Sequence, residues 1–367
     1  MQSPLVIPVF IPHSGCPHQC AFCNQAIITS QKHCLPDPKE PDPKEPDPKE
    51  IDKIIEQYLG YKANRSRVEL AFFGGNFLGL PEIKIVRLLE QIAPYIENHT
   101  IHGIRCSTRP DTITEQRLDL IATYGICLVE LGVQSMNDAV LKQANRGHTR
   151  QDTRRAIELL KARNIQVGVQ LMVGLPGDSE ESLLSSTRQV AALAPDVARI
   201  YPLMVLRGSP LAKWYQEGRY SPLGLDQSVD LVKEMLKILT RANVTVIRMG
   251  LQASEMMEDS SLVLAGPWHP AFGHLVLSAL VYDQVREQVC KLLGPFDRSS
   301  FDRTSRKNWE THILMGIHPR FESRLRGDKN SNLIKLKNAY PGISFSIQTD
   351  ESLRQGEVDV RKDLARA

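Results

Sequence analysis

Cys16, Cys20 and Cys23 stand in the stretch GCPHQCAFCNQ with C-x3-C-x2-C spacing. A loop this short cannot hold a pair of ordinary disulfides, and thiolate ligands suit either zinc or an iron–sulfur cluster. A structural zinc site closes with four ligands, and Cys34, His13 or His18 could supply the fourth. A cubane cluster normally takes four cysteines. Three would leave one iron open to a substrate or cofactor. The chain has seven cysteines, an odd number with a cluster of three, which points to metal or redox chemistry rather than a disulfide framework. Cys106 and Cys127 fall inside apolar runs and read as buried structural thiols. Cys34 and Cys290 have no evident partner.

The loop must be carried by the elements around it. PLVIPVFIP reads as a buried strand that runs directly into the cysteines. RVELAFF is a strand ending at Gly74 and Gly75, residues that let a backbone approach a ligand closely; an isolated turn would use the same pair. IHGIRCST, CLVELGVQS, QVGVQLMVGLPG and DVARIYPLMV read as further strands. Helical segments such as EIKIVRLLEQIAPYI and QDTRRAIELLKARN alternate with them. The helices repeat apolar residues every three or four positions, whereas the strands are apolar nearly throughout. Such strands are covered on both faces, as in a parallel sheet wrapped by helices. The fold class is therefore α/β, a partial or full (β/α) barrel with function at the carboxyl ends of its strands. The cysteine loop, GGN, STRPD, GVQS and GLPG all fall at those ends.

The barrel is expected over residues 1–254, with a smaller C-terminal α+β unit over 255–367. Residues 36–50 are three copies of PDPKE. Proline at alternating positions forbids helix and ladder, so this stretch is expected to be an exposed, disordered insertion without function. A formal charge of +3 does not by itself announce nucleic-acid binding, although net charge hides local patches. No signal peptide precedes the first strand, and no apolar run is long enough to span a bilayer. A cytoplasmic protein without membrane association is expected.

The cysteine spacing, with Phe22 before the last cysteine and a loop following the first barrel strand, resembles the radical S-adenosylmethionine (radical SAM) enzymes. That resemblance implies a [4Fe–4S] cluster on Cys16, Cys20 and Cys23. S-adenosylmethionine would chelate the fourth iron and be cleaved reductively to a 5′-deoxyadenosyl radical. FFGGN is similar to the family's glycine motif on the second strand. Gly74, Gly75 and Asn76 would then approach the methionine amino group, although many relatives carry glutamate at position 76. STRPDTI, VELGVQS, RGHT, GLPG and IYPLMVLRGSPLAKWYQEGRY extend the resemblance, over about residues 5–250, to the radical domain of the elongator catalytic subunit. That subunit modifies wobble uridine in transfer RNA. A weaker similarity, through GVQ, NRG and GLP, is to oxygen-independent coproporphyrinogen oxidase. Together these imply cofactor contacts from Ser107, Arg109, Gln134, Arg146 and Gln170, with Gln134 on the ribose and Arg146 gripping the carboxylate. Ser107 stands where relatives often have glutamate, and Gln170 where the coproporphyrinogen enzyme has aspartate. Arg146 could equally be a solvated charge at a helix end. Tyr201, Arg207, Lys213 and Tyr220 lie in the late-barrel segment, where packing or snorkelling is the default and radical gating or base stacking the alternative.

The elongator subunit continues into an acetyltransferase domain, and the residues that remain here are too few for one. In the tail, GPWHPAFGHLV carries Trp268, His269 and His274, read as a packed tryptophan with surface histidines. LRGDKNSNLIKLKNAYPGISFSIQTD reads as helix, glycine turn, basic helix and strand. Near 310–350 this resembles a KH module with Gly327, Lys329, Asn330, Lys335 and Lys337 as RNA contacts; the module's second loop glycine is absent. The leading reading is a radical SAM enzyme acting on RNA, most specifically transfer RNA, and served by a reducing protein such as flavodoxin or ferredoxin. The alternatives are a small-molecule or porphyrin-type substrate, or a non-catalytic zinc- or cluster-containing RNA-binding protein.

Overall fold

Seven strands, each followed or preceded by a helix, form one parallel sheet. In chain order the elements are β1 (Leu5–Phe10), α1 (Pro48–Gly60), β2 (Val68–Phe73), α2 (Glu82–Glu97), β3 (Ile104–Thr108), α3 (Glu115–Ile121) and β4 (Ile126–Gln134). They continue with α4 (Asp138–Gln143), α5 (Arg150–Ala162), β5 (Gln166–Val173), α6 (Glu180–Ala192) and β6 (Val197–Pro202). The unit finishes with β7 (Val205–Leu206), α7 (Pro210–Gln216), α8 (Leu225–Arg241), β8 (Thr245–Met249) and β9 (Val263–Ala265). The large sheet runs β1-β2-β3-β4-β5-β6-β8, all parallel. Its edge strands β1 and β8 do not pair among the described residues, so the sheet is a curled, open half-barrel. The computed structural model describes residues 4–11, 16, 18–24, 48–63, 65–251, 262–294 and 311–363. His13, Cys34 and residues 36–47 of the repeat lie outside them.

Side-chain chemistry accounts for these elements. Helix α1 buries Ile51 and Ile55, one turn apart. It starts at Pro48, inside the repeat expected to be unstructured to residue 50, because proline's missing N–H is no loss at a helix start. Strand-to-helix turns end on side-chain caps. Thr114, Asn137, Ser179 and Ser209 each accept from the first turn of their helix, and Thr149 with Asp152 forms a reciprocal capping box.

The strands depart from the expected all-apolar character. Along β2 to β6 one face is apolar and fully buried under the helices, including Leu70, Phe72, Cys106, Val129, Leu131, Val169 and Ile200. The opposite, concave face carries charge. Glu69 lies 2.7 Å from Arg105, and Arg105 lies 3.8 Å from Glu130. Glu130 pairs bidentately with Arg199, through Nε and through Nη2 at 2.9 Å. Arg67 extends the series at 2.6 Å from Glu69. The Arg199 guanidinium also sits 5.4 Å from the centroid of the Phe73 ring. Glu69 and Glu130 are only 4% and 6% exposed, so this is a buried ionic ladder across the barrel floor. Gly168 makes room for it, since a Cβ there would fall 2.9 Å from Glu130 Cγ.

The first compact unit is Met1–Pro270 and the second Ala271–Ala367. The division falls after residue 270 rather than after 254, because β9 pairs with β7 and Trp268 packs against Met204 and Leu206. The second unit contains α9 (Phe272–Leu293), β10 (Thr311–Ile317), α10 (Glu322–Arg326), α11 (Ser331–Ala339), β11 (Ile343–Thr349) and β12 (Val358–Lys362). Its sheet runs β11-β10-β12, with β10 and β11 parallel and β12 antiparallel to β10. Val281, Val285 and Val289, spaced by four along α9, pack onto Ile313, Met315, Ile317, Val358 and Val360. Cys290, expected to have no partner, lies 3.1 Å from the Tyr340 hydroxyl. No helix among the described residues is long and apolar enough to cross a membrane.

Candidate metal and cofactor site

The cysteine loop leaves β1 at the carboxyl end of the barrel. Cys20 is buried, Cys16 and Cys23 are half-buried, and none of the three is in a disulfide. A turn closes between the last two, with Cys23 N donating to Cys20 O at 3.1 Å. Neighbouring elements hold the loop by its backbone. Ala21 N donates to Ala144 O at 2.9 Å, and Leu211 N donates to Ala21 O at 2.8 Å. Asn145 Nδ2 donates to Gln19 O at 2.6 Å, and Asn24 Nδ2 to Arg207 O at 2.5 Å.

The Asn145-Arg146-Gly147 triplet clamps this loop, each residue differently. Asn145 adopts a left-handed φ of 52° and grips Gln19. Arg146 donates from Nη1 to Cys20 Sγ at 3.2 Å and from Nη2 to Gly132 O at 2.7 Å. Gly147 has φ 72°, and a Cβ there would lie 2.2 Å from the His18 ring. The expectation of a solvated helix-end charge for Arg146 does not hold, because the side chain is 7% exposed. Gly132, in the GVQ motif, serves the same site: a Cβ would fall 2.6 Å from Arg146 Nη2 and 2.9 Å from Gln134 Nε2.

A second arginine, at the end of β3, acts on the loop through its charge. Arg109 is 1% exposed and paired bidentately with Asp111, Nε and Nη2 each at 2.9 Å. Arg109 Nη1 and Arg146 Nε are buried without a hydrogen-bond partner among the described residues. Burial pushes the Cys16 thiol pKa up, while the charges of Arg109 and Arg146 oppose that rise. Arg146 thus bonds Cys20, the charges of both arginines act on Cys16, and each arginine holds a buried donor in reserve.

Asn76 is fully buried, and its Oδ1 accepts from Thr108 Oγ1 at 2.6 Å, Arg109 N at 3.0 Å and Thr112 Oγ1 at 3.2 Å. Its side chain thus locks the GGN turn to the STRPD turn. Gly74, two residues before Asn76, has φ 101°. Gln134 also holds a left-handed φ, 69°, and its Oε1 accepts from Gln170 Nε2 at 3.2 Å. Ser107 lies in register with Glu130 on the concave face. Tyr220 donates its hydroxyl to Gly174 O at 2.7 Å, anchoring the GLPG turn. Arg199 Nη1 lies 3.4 Å from the Tyr201 hydroxyl.

His148, two residues beyond Arg146, is buried with Nε2 donating to Val133 O at 3.2 Å. A carbonyl can only accept, which fixes the proton on Nε2. Burial, then the charges of Arg146 and Arg109, lower its pKa from 6.5 to about 3. Between those values the unfolded chain binds a proton that the folded chain refuses. The stability held above pH 6.5 is therefore lost as pH falls toward 3, by a few kcal/mol in all at about 1.4 kcal/mol per unit. His148→Gln is expected to flatten the decline in denaturation midpoint between pH 6 and 4. A decline identical to that of the wild type would contradict a buried neutral imidazole.

In the second unit, Gly327, Lys329 and Asn330 form the turn between α10 and α11, with left-handed φ of 73°, 49° and 62°. Gly327 is buried and shapes the turn; Lys329 and Asn330 are exposed. Lys335 and Lys337 are exposed on α11. Two positions apart, they do not share a helix face, and Lys335 Nζ lies 5.8 Å from the Tyr282 ring centroid. The order helix, turn, helix, strand expected here is present as α10, turn, α11 and β11.

Sequence reasoning had passed over Gly132, Asn145, Gly147, Asp111, His148 and the ionic ladder. The single residues each lie inside a quoted motif, Gly132 in GVQ, Asn145 and Gly147 in NRG, His148 in RGHT and Asp111 in STRPD; only the ladder carried no local signal.

Among the described residues no three His, Cys, Asp or Glu side chains converge as ligands of one ion would. A cubane engages its three thiolates at three different irons, so it does not ask for that convergence. The donor set of three cysteines outside any disulfide, with Arg146 bonded to Cys20 and two buried guanidinium N–H groups without a partner among the described residues, fits an anionic thiolate cluster.

Comparison with known proteins agrees. Residues 10–190 match the Radical SAM superfamily, and residues 195–281 match the Radical_SAM C-terminal domain. An uncharacterized protein of Methanocaldococcus jannaschii is 30% identical over 235 residues, which are 62% of this chain and 69% of that protein. The tRNA uridine(34) acetyltransferase of Dehalococcoides mccartyi is 30% identical over 56% of this chain, which spans only 50% of that enzyme. In structure, Elp3 of Methanocaldococcus infernus with an N-terminal deletion aligns with a TM-score of 0.58 at 22% identity. That alignment covers 78% of this chain and 64% of Elp3. Half-barrel, cysteine loop and sequence relationship agree, and the chain belongs to the radical SAM superfamily of enzymes.

Proposed function

We propose that this enzyme binds a [4Fe–4S] cluster through Cys16, Cys20 and Cys23, cleaves S-adenosylmethionine reductively, and acts on RNA, most specifically transfer RNA. The observation that carries the cluster reading is the clamped loop of three cysteines outside any disulfide, with buried Arg146 bonded to Cys20 and with its Nε unpartnered among the described residues. The RNA reading is supported by the relative named as a tRNA uridine(34) acetyltransferase and by the basic turn and helix of the second unit. When bound, the cluster supplies the electron that cleaves the sulfonium. The chain's own residues then bind and orient. Gly74 and Gly75 give backbone access for the methionine amino group, and Gln134, held by Gln170, presents an amide toward the ribose. The ionic ladder beneath closes the barrel floor, so that substrate enters from the carboxyl rim. A small reducing protein of the flavodoxin or ferredoxin type would deliver the electron.

The test is anaerobic reconstitution followed by assay of iron, sulfide and dithionite-dependent 5′-deoxyadenosine. Brown protein releasing 5′-deoxyadenosine is the expected result; colourless protein with one tightly bound zinc contradicts it. Comparing modified nucleosides from cells with and without the protein addresses the substrate, and an unchanged tRNA nucleoside profile counts against tRNA.

A further inference from the structure

Arg146 is a buried cation without a carboxylate partner among the described residues. Its hydrogen bonds go to a carbonyl, Gly132 O, and to a thiol, Cys20 Sγ, and its Nε has no partner among the described residues. A guanidinium held in that state is costly unless an anion arrives to balance it. Arg109, equally buried and acting on Cys16, differs in having its charge offset by Asp111. Three thiolates outweigh the positive charge of an oxidised cubane core, so the assembly is anionic and becomes more so on one-electron reduction. Buried cations, little screened by solvent, favour the reduced form. Hydrogen bonds to the sulfurs and net charge are the protein's principal means of setting such a potential.

We infer that Arg146, through its bond to Cys20, and Arg109, whose charge acts on Cys16, form a cationic collar that raises the reduction potential of the cluster. Both act as positioning residues, and the collar rests on the cluster reading above. It differs from a role for Arg146 in gripping the S-adenosylmethionine carboxylate, because the collar operates before that molecule binds. Asp111 is the counterweight: it damps the contribution of Arg109, so removing it should move the potential in the opposite direction.

The experiment is an anaerobic redox titration of the reconstituted full chain without S-adenosylmethionine, followed by electron paramagnetic resonance. Arg146→Gln is expected to shift the midpoint negative by at least tenfold in the reduced-to-oxidised ratio, about 59 mV for a one-electron couple. Asp111→Asn is expected to shift it positive. An unmoved midpoint in Arg146→Gln overturns the collar. Should Arg146→Gln take up no iron, Asp111→Asn decides, and a flat or negative shift there overturns the proposal. Wild-type protein that takes up no iron removes the cluster reading itself, a result distinct from a cluster whose potential ignores these residues.

Discussion

Cys20→Ala is expected to abolish iron uptake and reduce 5′-deoxyadenosine formation to background, and Cys16→Ala and Cys23→Ala should do the same. With three thiols available, losing one leaves two protein ligands for a cluster that needs three. The variants should differ in stability. Cys20 is buried and accepts from Arg146 Nη1, so its removal strands a buried donor at about 1–3 kcal/mol. Cys16 and Cys23 are half-buried and should cost less. Iron and sulfide assays with circular dichroism on the purified variants check both statements. Full iron retention in any one of the three would remove that residue from the ligand set.

Glu130→Ala is the second large effect, and it falls on folding rather than on the cofactor. Glu130 alone accepts the bidentate pair from Arg199, and it also faces Arg105 at 3.8 Å. Removing one member of a buried ion pair leaves an uncompensated charge, typically about 3–5 kcal/mol. Replacing Glu130 and Arg199 together by apolar residues of similar volume should recover much of that loss, because neither charge is then stranded. Denaturation midpoints of the single and double variants supply the comparison. A single variant less than about 1 kcal/mol below the wild type would mean that water reaches Arg199 and the ladder is not sealed.

The site was legible in the sequence to the extent that its parts are local. Cysteine spacing marks a ligand loop because three thiols within one turn of loop can meet one cluster whatever the fold. GGN, GVQ and GLPG announced tight turns at strand ends, and alternating helical and strand patterns announced the half-barrel. The charges of the barrel floor were overlooked for a different reason. Glu69, Arg105, Glu130 and Arg199 are each the single charge of their strand, where one charge scarcely disturbs the hydrophobic pattern. Only strand order and register bring them into contact. The strand Val263–Ala265 gave no such signal, because it is three residues long and is held by its pairing with β7.

By itself, then, the sequence determined the ligand loop, the β/α alternation and the turns at the barrel rim, because chain geometry over a few residues is enough to define them. Tertiary structure alone decided that Arg146 reaches back 126 positions to Cys20 and that Asn76 locks two strand ends. It likewise decided that four isolated charges become one ladder. Such contacts depend on which strands neighbour each other and in what register, and no short stretch of the chain carries that information.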